Sequence, residues 1–582
     1  MLRSGPIRGW KAALLLFAVG SALGAWSWGK WPDALVDFGR ELYVPWRLAA
    51  GEDLYADIAW FNGPLSAWFN ALAFRAFGVG LATLVWLNLA LLAITTWLAW
   101  QLLARASDAG AATLACLVFL GVFAFGQTFP LGNYNFVTPY SHELTHGLLL
   151  ALLGVWCLAR ADGPRSLAWA AASGVALGLA FLTKPEVFVA AAAGSLAALA
   201  TAPLPSRARA AAVFLIGAAL APLLAGMCSR AAVLGAWPHV LDPELRAQTF
   251  YRFGMGLDDP TASVERMLRW AAFYAAALGV PLALGRWARG AAGRPAAVAT
   301  FLAYAGLPLL ARGRIDWRHL AAPWPLFLAA LVVLAALHVA RAARGGASEP
   351  RGAAATRLAL AVLALALLGK MLLNARLEHY GFVLALPATL CLVVAAVRDF
   401  PDFLEQRGSR AGLVPAAVLG LIAAGVGHHL VETQRWYRLK TNPVGHGADA
   451  FLGAVRGRYA AEIVAEIERV ARPDATLLVL PEGVMLNYLA RRRNPTPYVN
   501  FMPPEMILFG EDAILESIRR AAPDFVALVH KDTSEYGARF FGRDYGERLA
   551  RWVQQDYEEV RRVGAPPFVD ERFGIALLRR RE

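Results

Sequence analysis

The sequence predicts an α-helical polytopic membrane protein of about thirteen transmembrane helices, followed by a small α/β domain at the C-terminal end. Three observations predict it. Of 582 residues, 58% are hydrophobic and only 17% are charged, whereas about a quarter of a soluble domain is charged. Apolar stretches of about 17 to 25 residues, each long enough to cross a hydrocarbon core of ~30 Å, follow one another up to about residue 430. Beyond that point short apolar strands alternate with amphipathic helices. The formal net charge is +13, but the basic residues sit in short segments between apolar runs and form no single basic face, which excludes a surface that tracks nucleic acid. Cys116, Cys157, Cys228 and Cys391 lie in or beside apolar runs, without the spacing of a disulfide framework or a zinc site.

The apolar runs centre near residues 20, 92, 119, 153, 174, 194, 219, 277, 304, 330, 365, 388 and 420. The first follows Arg3, Arg8 and Lys11 and leads to no soluble domain behind a small-residue cleavage site, so it reads as a retained span. Lys and Arg collect in every second connection: Arg160 and Arg165, Arg207 and Arg209, Arg286, Arg289 and Arg294, Arg341, Arg344, Arg351 and Arg357, then Arg398, Arg407 and Arg410. The positive-inside rule makes those connections cytoplasmic. A cytoplasmic N-terminus and an odd number of spans then place everything after residue 430 outside. Gly174 and Gly178 are spaced as GxxxG, a pattern that lets helices pack closely.

The chain divides at that point into a membrane domain over 1–430, with a long first outer loop over 31–78, and a soluble α/β domain over 431–582. In the second domain the pattern predicts a helix over 447–471, a strand over 476–480, a helix from about 483, a helix over 513–521 and a strand over 525–529. It carries no Gly-rich phosphate loop and no metal-ligand cluster, so it reads as a cap or an acceptor-recognition domain and the chemistry is placed elsewhere.

The first outer loop mixes carboxylates, arginines and aromatics beside the membrane. Asp37 and Glu41 are spaced i,i+4, which on a helix puts both on one face with Arg40 adjacent. Composition alone reads this as a solvated helix with one surface ion pair. Further ionisable groups recur at outer membrane edges: Lys184 and Glu186 after the fifth span, Arg312, Arg314, Arg318 and His319 after the ninth, and Arg376, Glu378 and His379 after the eleventh. Arg312, Arg314 and Arg318 run against the positive-inside pattern, and ionisable residues at membrane depth mark functional sites.

Four features of the first loop carry a family resemblance. An acidic residue just after the first span is followed by R-E-x-Y from Arg40, a G-E-x-L-Y-x-D turn over 51–57, and G-P-L-S-x-W-x-N-A-L-x-F-R-x-F-G over 63–78. This resembles the GT-C membrane glycosyltransferases, and more narrowly glycosyltransferase family 39 with its protein mannosyltransferases, aminoarabinose transferases and lipid A or core-sugar transferases. The resemblance implies a GT-C fold and transfer of a sugar from a polyprenyl-phosphate donor to an envelope glycan, lipid or protein acceptor on the outer face of a bacterial inner membrane. Lipopolysaccharide is among the implied acceptors, membrane lipids are the surroundings and nucleic acid is no partner. In that superfamily the acidic residue of the first loop is the catalytic or metal-associated carboxylate, which here is Asp37, with Glu41 as its companion. A divalent metal ion is therefore left open as a cofactor. Where aminoarabinose-transferase relatives have K-P-P-L, this chain has Asn62-Gly63-Pro64-Leu65, so another cation must serve the phosphate. Lys184, Arg314, Arg318, Arg376 and His379 are the candidates, and Arg40, Tyr55, Asp57, Tyr140 and Glu186 are candidate substrate contacts.

Two rival motifs are weighed against this. His142, Glu143 and His146 fit HExxH, in which two helical histidines bind zinc and the glutamate acts as base; no third-ligand motif follows in a later span. The three residues are kept as an intramembrane protease alternative and as candidate contacts to donor phosphate or metal in a transferase. Asp258 and Asp259 resemble a metal-binding acidic pair, but Pro260 onward has the pattern of a capped helix start. A transporter, the non-enzymatic alternative, would show midplane charges and repeated halves, and neither is evident.

Overall fold

The computed structural model describes residues 9–287, 293–311, 314–344, 350–407 and 412–582. Arg3, Arg8, Arg289, Arg312 and Arg410 lie outside the described residues. Among the described residues nine helices are long and apolar enough to cross a membrane, from Gly9–Ser27 to Val414–Tyr437. The runs centred near 119, 174 and 194 form the shorter apolar helices Ala109–Ala124, Ser166–Phe181 and Pro185–Thr201, and that near 304 the 12-residue helix Arg294–Ala305. Helices of 16 and 17 residues fall just short of the ~20 that a hydrocarbon core requires. They lie against other helices of the bundle: a Cβ on Gly174 would come within 2.0 Å of the Phe214 carbonyl and one on Gly178 within 2.4 Å of that of Ala218, so the GxxxG pair serves contact between Ser166–Phe181 and Arg207–Cys228. Asp259 accepts a hydrogen bond from the Ala262 backbone N–H at 3.0 Å, at the start of the helix Pro260–Trp287, as a cap does.

The last membrane helix runs to Tyr437 and the outer domain begins with the antiparallel pair β1 (Asn442–Val444) and β2 (Phe451–Gly453). The helix expected from 447 starts instead at Val455, because Gly445 and Gly447 adopt positive φ, a conformation suited to a turn and not to a helix. A four-stranded sheet follows, in the order β3-β4-β6-β5, made of β3 (Leu477–Leu480), β4 (Phe525–Val529), β5 (Tyr557–Gly564) and β6 (Gly574–Arg580). β3 and β4 are parallel; β6 pairs antiparallel with β4 and β5. The sequence reading misses β5 and β6, since β5 is an edge strand whose charged run, Glu558 to Arg562, hides its alternation. Such charges guard an edge against pairing with other chains.

The C-terminal domain closes over the loop that spans residues 31–78. Lys440, buried beneath the domain, donates from Nζ to the Pro32 carbonyl at 3.1 Å, and the Ala59 N–H donates to the Pro497 carbonyl at 2.9 Å. The loop helix Phe38–Ala49 meets the domain backbone at Gly39, where a Cβ would lie 2.4 Å from the Met485 nitrogen. The loop is thus clamped between bundle and domain.

Candidate active site

The clamp borders a cavity of about 510 Å³ lined by the loop over 31–78, the ends of the membrane helices next to it and the C-terminal domain. Asp37, Arg40 and Asn62 line it from the loop; Tyr140, Lys184, Lys370 and His379 from the bundle; Glu482, Asn500, Glu505 and Lys531 from the domain.

Asp37 precedes the helix Phe38–Ala49 and sits at φ 57°, ψ −60°, a strained backbone position of the kind that clusters at functional sites. Its N–H donates to Glu482 Oε1 at 3.1 Å, while the preceding turn is fixed by Asp33, whose Oδ1 accepts from the N–H groups of Leu35 and Val36. Because Asp37 lies outside the helix, the expected shared face with Glu41 does not form. Asp37 faces the cavity; Glu41 does not line it and accepts from His142 Nδ1 at 2.6 Å and from the His142 backbone N–H at 3.1 Å. Burial, reinforced by the Glu482 carboxylate, pushes the Asp37 carboxyl up to about 7 despite Arg40 and Lys531. Arg40 donates to the Tyr140 carbonyl at 3.2 Å and lies over the rings of Trp60 and Phe61 at 5.7 and 5.8 Å.

Two lysines supply cations on the membrane side. Lys184 lies 5.3 Å from the Tyr140 ring centroid, at the start of Pro185–Thr201. Its place is set by the segment that lacks the K-P-P-L lysine: the Gly63 N–H donates to the Thr183 carbonyl at 2.8 Å and the Leu65 N–H to that of Leu182 at 3.0 Å. Asn62 and Lys184 therefore become neighbours across two backbone hydrogen bonds, and the cation missing from one strand of this junction is present on the other. The approach requires glycine, for a Cβ on Gly63 would lie 2.2 Å from the Leu182 oxygen. Gly63→Ala is expected to destabilise the protein by about 1–3 kcal/mol, read as a lower melting temperature in detergent, and to lower activity by displacing Lys184. Lys370, which sequence reasoning missed, lines the cavity beside it and pairs with Glu186 at 2.6 Å.

The other candidates fall elsewhere. Arg318 is exposed and paired with Asp316 at 2.8 Å, Arg314 is exposed, and neither lines the cavity. Arg376 lies behind His379, its Nη2 3.4 Å from His379 Nδ1. His379 faces the cavity between the rings of Tyr134 and Tyr380; burial, with Arg376 and Lys370 nearby, holds it well below the usual histidine range, so it meets a ligand as a neutral ring. Tyr55 donates to the Asn62 carbonyl at 2.6 Å and Asp57 accepts from the Asp53 N–H at 2.8 Å. Both shape the loop from outside the cavity.

The HExxH residues open the helix His142–Ala159 beneath the cavity. His142 has both ring nitrogens engaged, Nδ1 by Glu41 at 2.6 Å and Nε2 by Asn88 at 3.0 Å. His146 Nδ1 contacts Ser66 Oγ at 3.0 Å and Glu143 accepts from Ser141 Oγ at 2.6 Å. A zinc ligand needs a free ring lone pair, which His142 offers only by giving up one of these partners. Among the described residues no group of three or more His, Cys, Asp or Glu side chains is placed to hold a metal ion. Glu482, whose Oε1 accepts from the Asp37 N–H, is paired through Oε2 with Lys531 Nζ at 2.9 Å.

Comparison with known proteins follows from this geometry. Residues 62–226 match the family model of dolichyl-phosphate-mannose-protein mannosyltransferases. The matched stretch contains Asn62, Tyr140, Lys184 and Glu186; Asp37 and Arg40 lie upstream of it. No curated protein matches the chain. Among solved structures it is similar to ArnT from Cupriavidus metallidurans bound to undecaprenyl phosphate, at 16% identity over 98% of both chains with a TM-score of 0.43. It is also similar to the oligosaccharyltransferase AglB from Archaeoglobus fulgidus in complex with an inhibitory peptide and a dolichol-phosphate, at 12% identity over 89% of this chain and 69% of that one, TM-score 0.46. A third is the arabinofuranosyltransferase AftD from Mycobacteria, at 15% identity over 99% and 42%, TM-score 0.43. All three are GT-C superfamily glycosyltransferases, the superfamily that the first outer loop resembles.

Proposed function

We propose that this protein is an integral membrane glycosyltransferase that moves a sugar from a polyprenyl-phosphate donor to an envelope acceptor, with its cavity on the periplasmic face of a bacterial inner membrane. The observation that carries the reading is the cavity itself: Asp37, held near neutrality, shares one enclosed space with the cations Arg40, Lys184 and Lys370 at the ends of membrane helices. The family match over 62–226 and the undecaprenyl phosphate and dolichol-phosphate bound by similar structures support a lipid phosphate as the leaving group.

The chain's own residues account for each part of a single displacement. Asp37 takes the proton of the acceptor hydroxyl as its oxygen bonds to the anomeric carbon, the role of a general base with a carboxyl tuned towards working pH. The bond from the anomeric carbon to the phosphate oxygen breaks and its electron pair leaves with the polyprenyl phosphate. Lys184 and Lys370 stabilise the charge that gathers there, as cations fixed in place before the reaction. Arg40, fixed by Tyr140 and the loop aromatics, bridges the base and phosphate ends. Attack from the side opposite the departing phosphate inverts the anomeric centre.

Lys531 already pairs with Glu482 beside Asp37, and no step is assigned to a metal ion. The test is transfer of labelled sugar from polyprenyl-phosphate donors by purified protein in lipid, with and without chelator. Transfer unaffected by chelator is expected. Absence of transfer from every donor, in well-folded protein, would overturn the reading.

A further inference from the structure

Several buried polar atoms in the cavity wall have no partner within the protein. Glu505 is only 6% exposed, and its Oε2 is unpaired, as is Asn500 Oδ1; the two side chains are joined by a hydrogen bond from Asn500 Nδ2 to Glu505 Oε1 at 2.9 Å. Both line the cavity. Buried acceptors are normally paired, and a fixed pair of them, each using one of its atoms to hold the other, leaves two acceptors free for donors on a ligand.

Their position says which part of a ligand they meet. Glu505 lies on the helix Pro503–Phe509, which packs against Pro243–Ala247; that short helix meets Thr249–Met255, which packs on the turn Gly369–Met371 that carries Lys370. Glu505 is thereby tied to the side of the cavity that Lys370 lines, whereas Glu482 bonds the Asp37 N–H and pairs with Lys531. A sugar whose phosphate sits against the two lysines would extend towards Glu505.

We infer that Glu505 and Asn500 select the transferred sugar, accepting hydrogen bonds from two N–H or O–H groups on its ring. This rests on the transferase reading above and adds to it that the outer domain chooses the donor. The substrate class is a lipid-linked sugar carrying either a neighbouring pair of hydroxyls or a protonated amine at the ring edge remote from the phosphate. A site built to bond a substrate hydroxyl strongly rejects the analogue that lacks it, because its own acceptors are then left unpaired.

The experiment uses full-length protein in lipid nanodiscs with undecaprenyl-phosphate mannose, glucose and arabinose, and, for whichever is transferred, its single deoxy and amino analogues. Wild type is expected to transfer one deoxy analogue at least ~100-fold less well than the parent sugar. Glu505→Ala and Asn500→Ala are expected to shrink that ratio to about tenfold or less while inhibition by undecaprenyl phosphate stays unchanged. The amino analogue separates the two ligand chemistries: Glu505→Gln keeps an acceptor for hydroxyls but loses the charge that favours an ammonium. Asn500→Ala, which leaves Glu505 in place and removes one acceptor, is the second variant should Glu505→Ala fail to fold. An unchanged ratio in folded variants, or an equal loss for every donor, would overturn the inference and leave the transferase reading standing; absence of transfer by wild type would overturn both.

Discussion

Asp37→Asn is expected to lower sugar transfer by about 10²- to 10⁴-fold, the usual contribution of a general base, with little change in melting temperature because the side chain keeps its shape. The loss should fall on kcat, since Asp37 does not touch the donor phosphate. The same assignment fixes a pH dependence. With its carboxyl raised to about 7 by burial and by Glu482, against the opposing charges of Arg40 and Lys531, Asp37 is protonated below that pH and a base above it. Wild-type transfer should therefore rise through pH 7 and level off above it, and the residual activity of Asp37→Asn should lack that limb. A pH–rate profile of kcat in both proteins checks this directly.

Lys184→Ala is expected to reduce kcat/KM by roughly 10- to 100-fold, the equivalent of about 1.5–3 kcal/mol for a hydrogen bond to a charged group. Lys370→Ala should behave differently. Its ammonium is held by Glu186 at 2.6 Å, so its removal leaves a largely buried carboxylate without its counter-charge, a strongly destabilising change. The two lysines are thus separable: Lys184→Ala should keep its melting temperature and lose activity, whereas Lys370→Ala should lose both. Steady-state kinetics with varied donor, run beside thermal unfolding in detergent, distinguishes them.

The helical runs were legible in the sequence because hydrocarbon tolerates little besides long apolar helices, and the outer-edge charges near 184 and 379 stood out against them. Lys370 did not, since it is a lone charge at the end of an apolar run and its partner Glu186 is far away in sequence. The separation of Asp37 from Glu41 was illegible for a different reason. Periodicity shows which residues share a helical face but not where the helix begins, and the backbone turn at Asp37 places the start one residue later. Arg314 and Arg318 broke the positive-inside pattern without reaching the cavity, because Asp316 pairs with Arg318 at the surface.

The share taken by the outer domain could have been found. Glu482 and Lys531 each lie two residues beyond the end of a strand, β3 and β4, and those strands run parallel. Open α/β sheets present their ligands at the carboxyl ends of parallel strands, so two predicted apolar strands, each followed by an ionisable residue, carried the signal. Reading the domain as a cap or an acceptor-recognition domain, with the chemistry placed elsewhere, overlooked it. The HExxH match shows the converse: its histidines and glutamate form a buried network with Glu41, Asn88, Ser66 and Ser141 that supports Arg40 from beneath.

The central claim is that a carboxylate in the first outer loop, and not the histidine motif, carries the chemistry. It is tested most directly by transfer of labelled sugar from polyprenyl-phosphate donors in matched membranes containing wild type, Asp37→Asn or Glu143→Gln. Transfer lost in Asp37→Asn and retained, at a reduced level, in Glu143→Gln is the predicted result; normal transfer in Asp37→Asn with none in Glu143→Gln would contradict it.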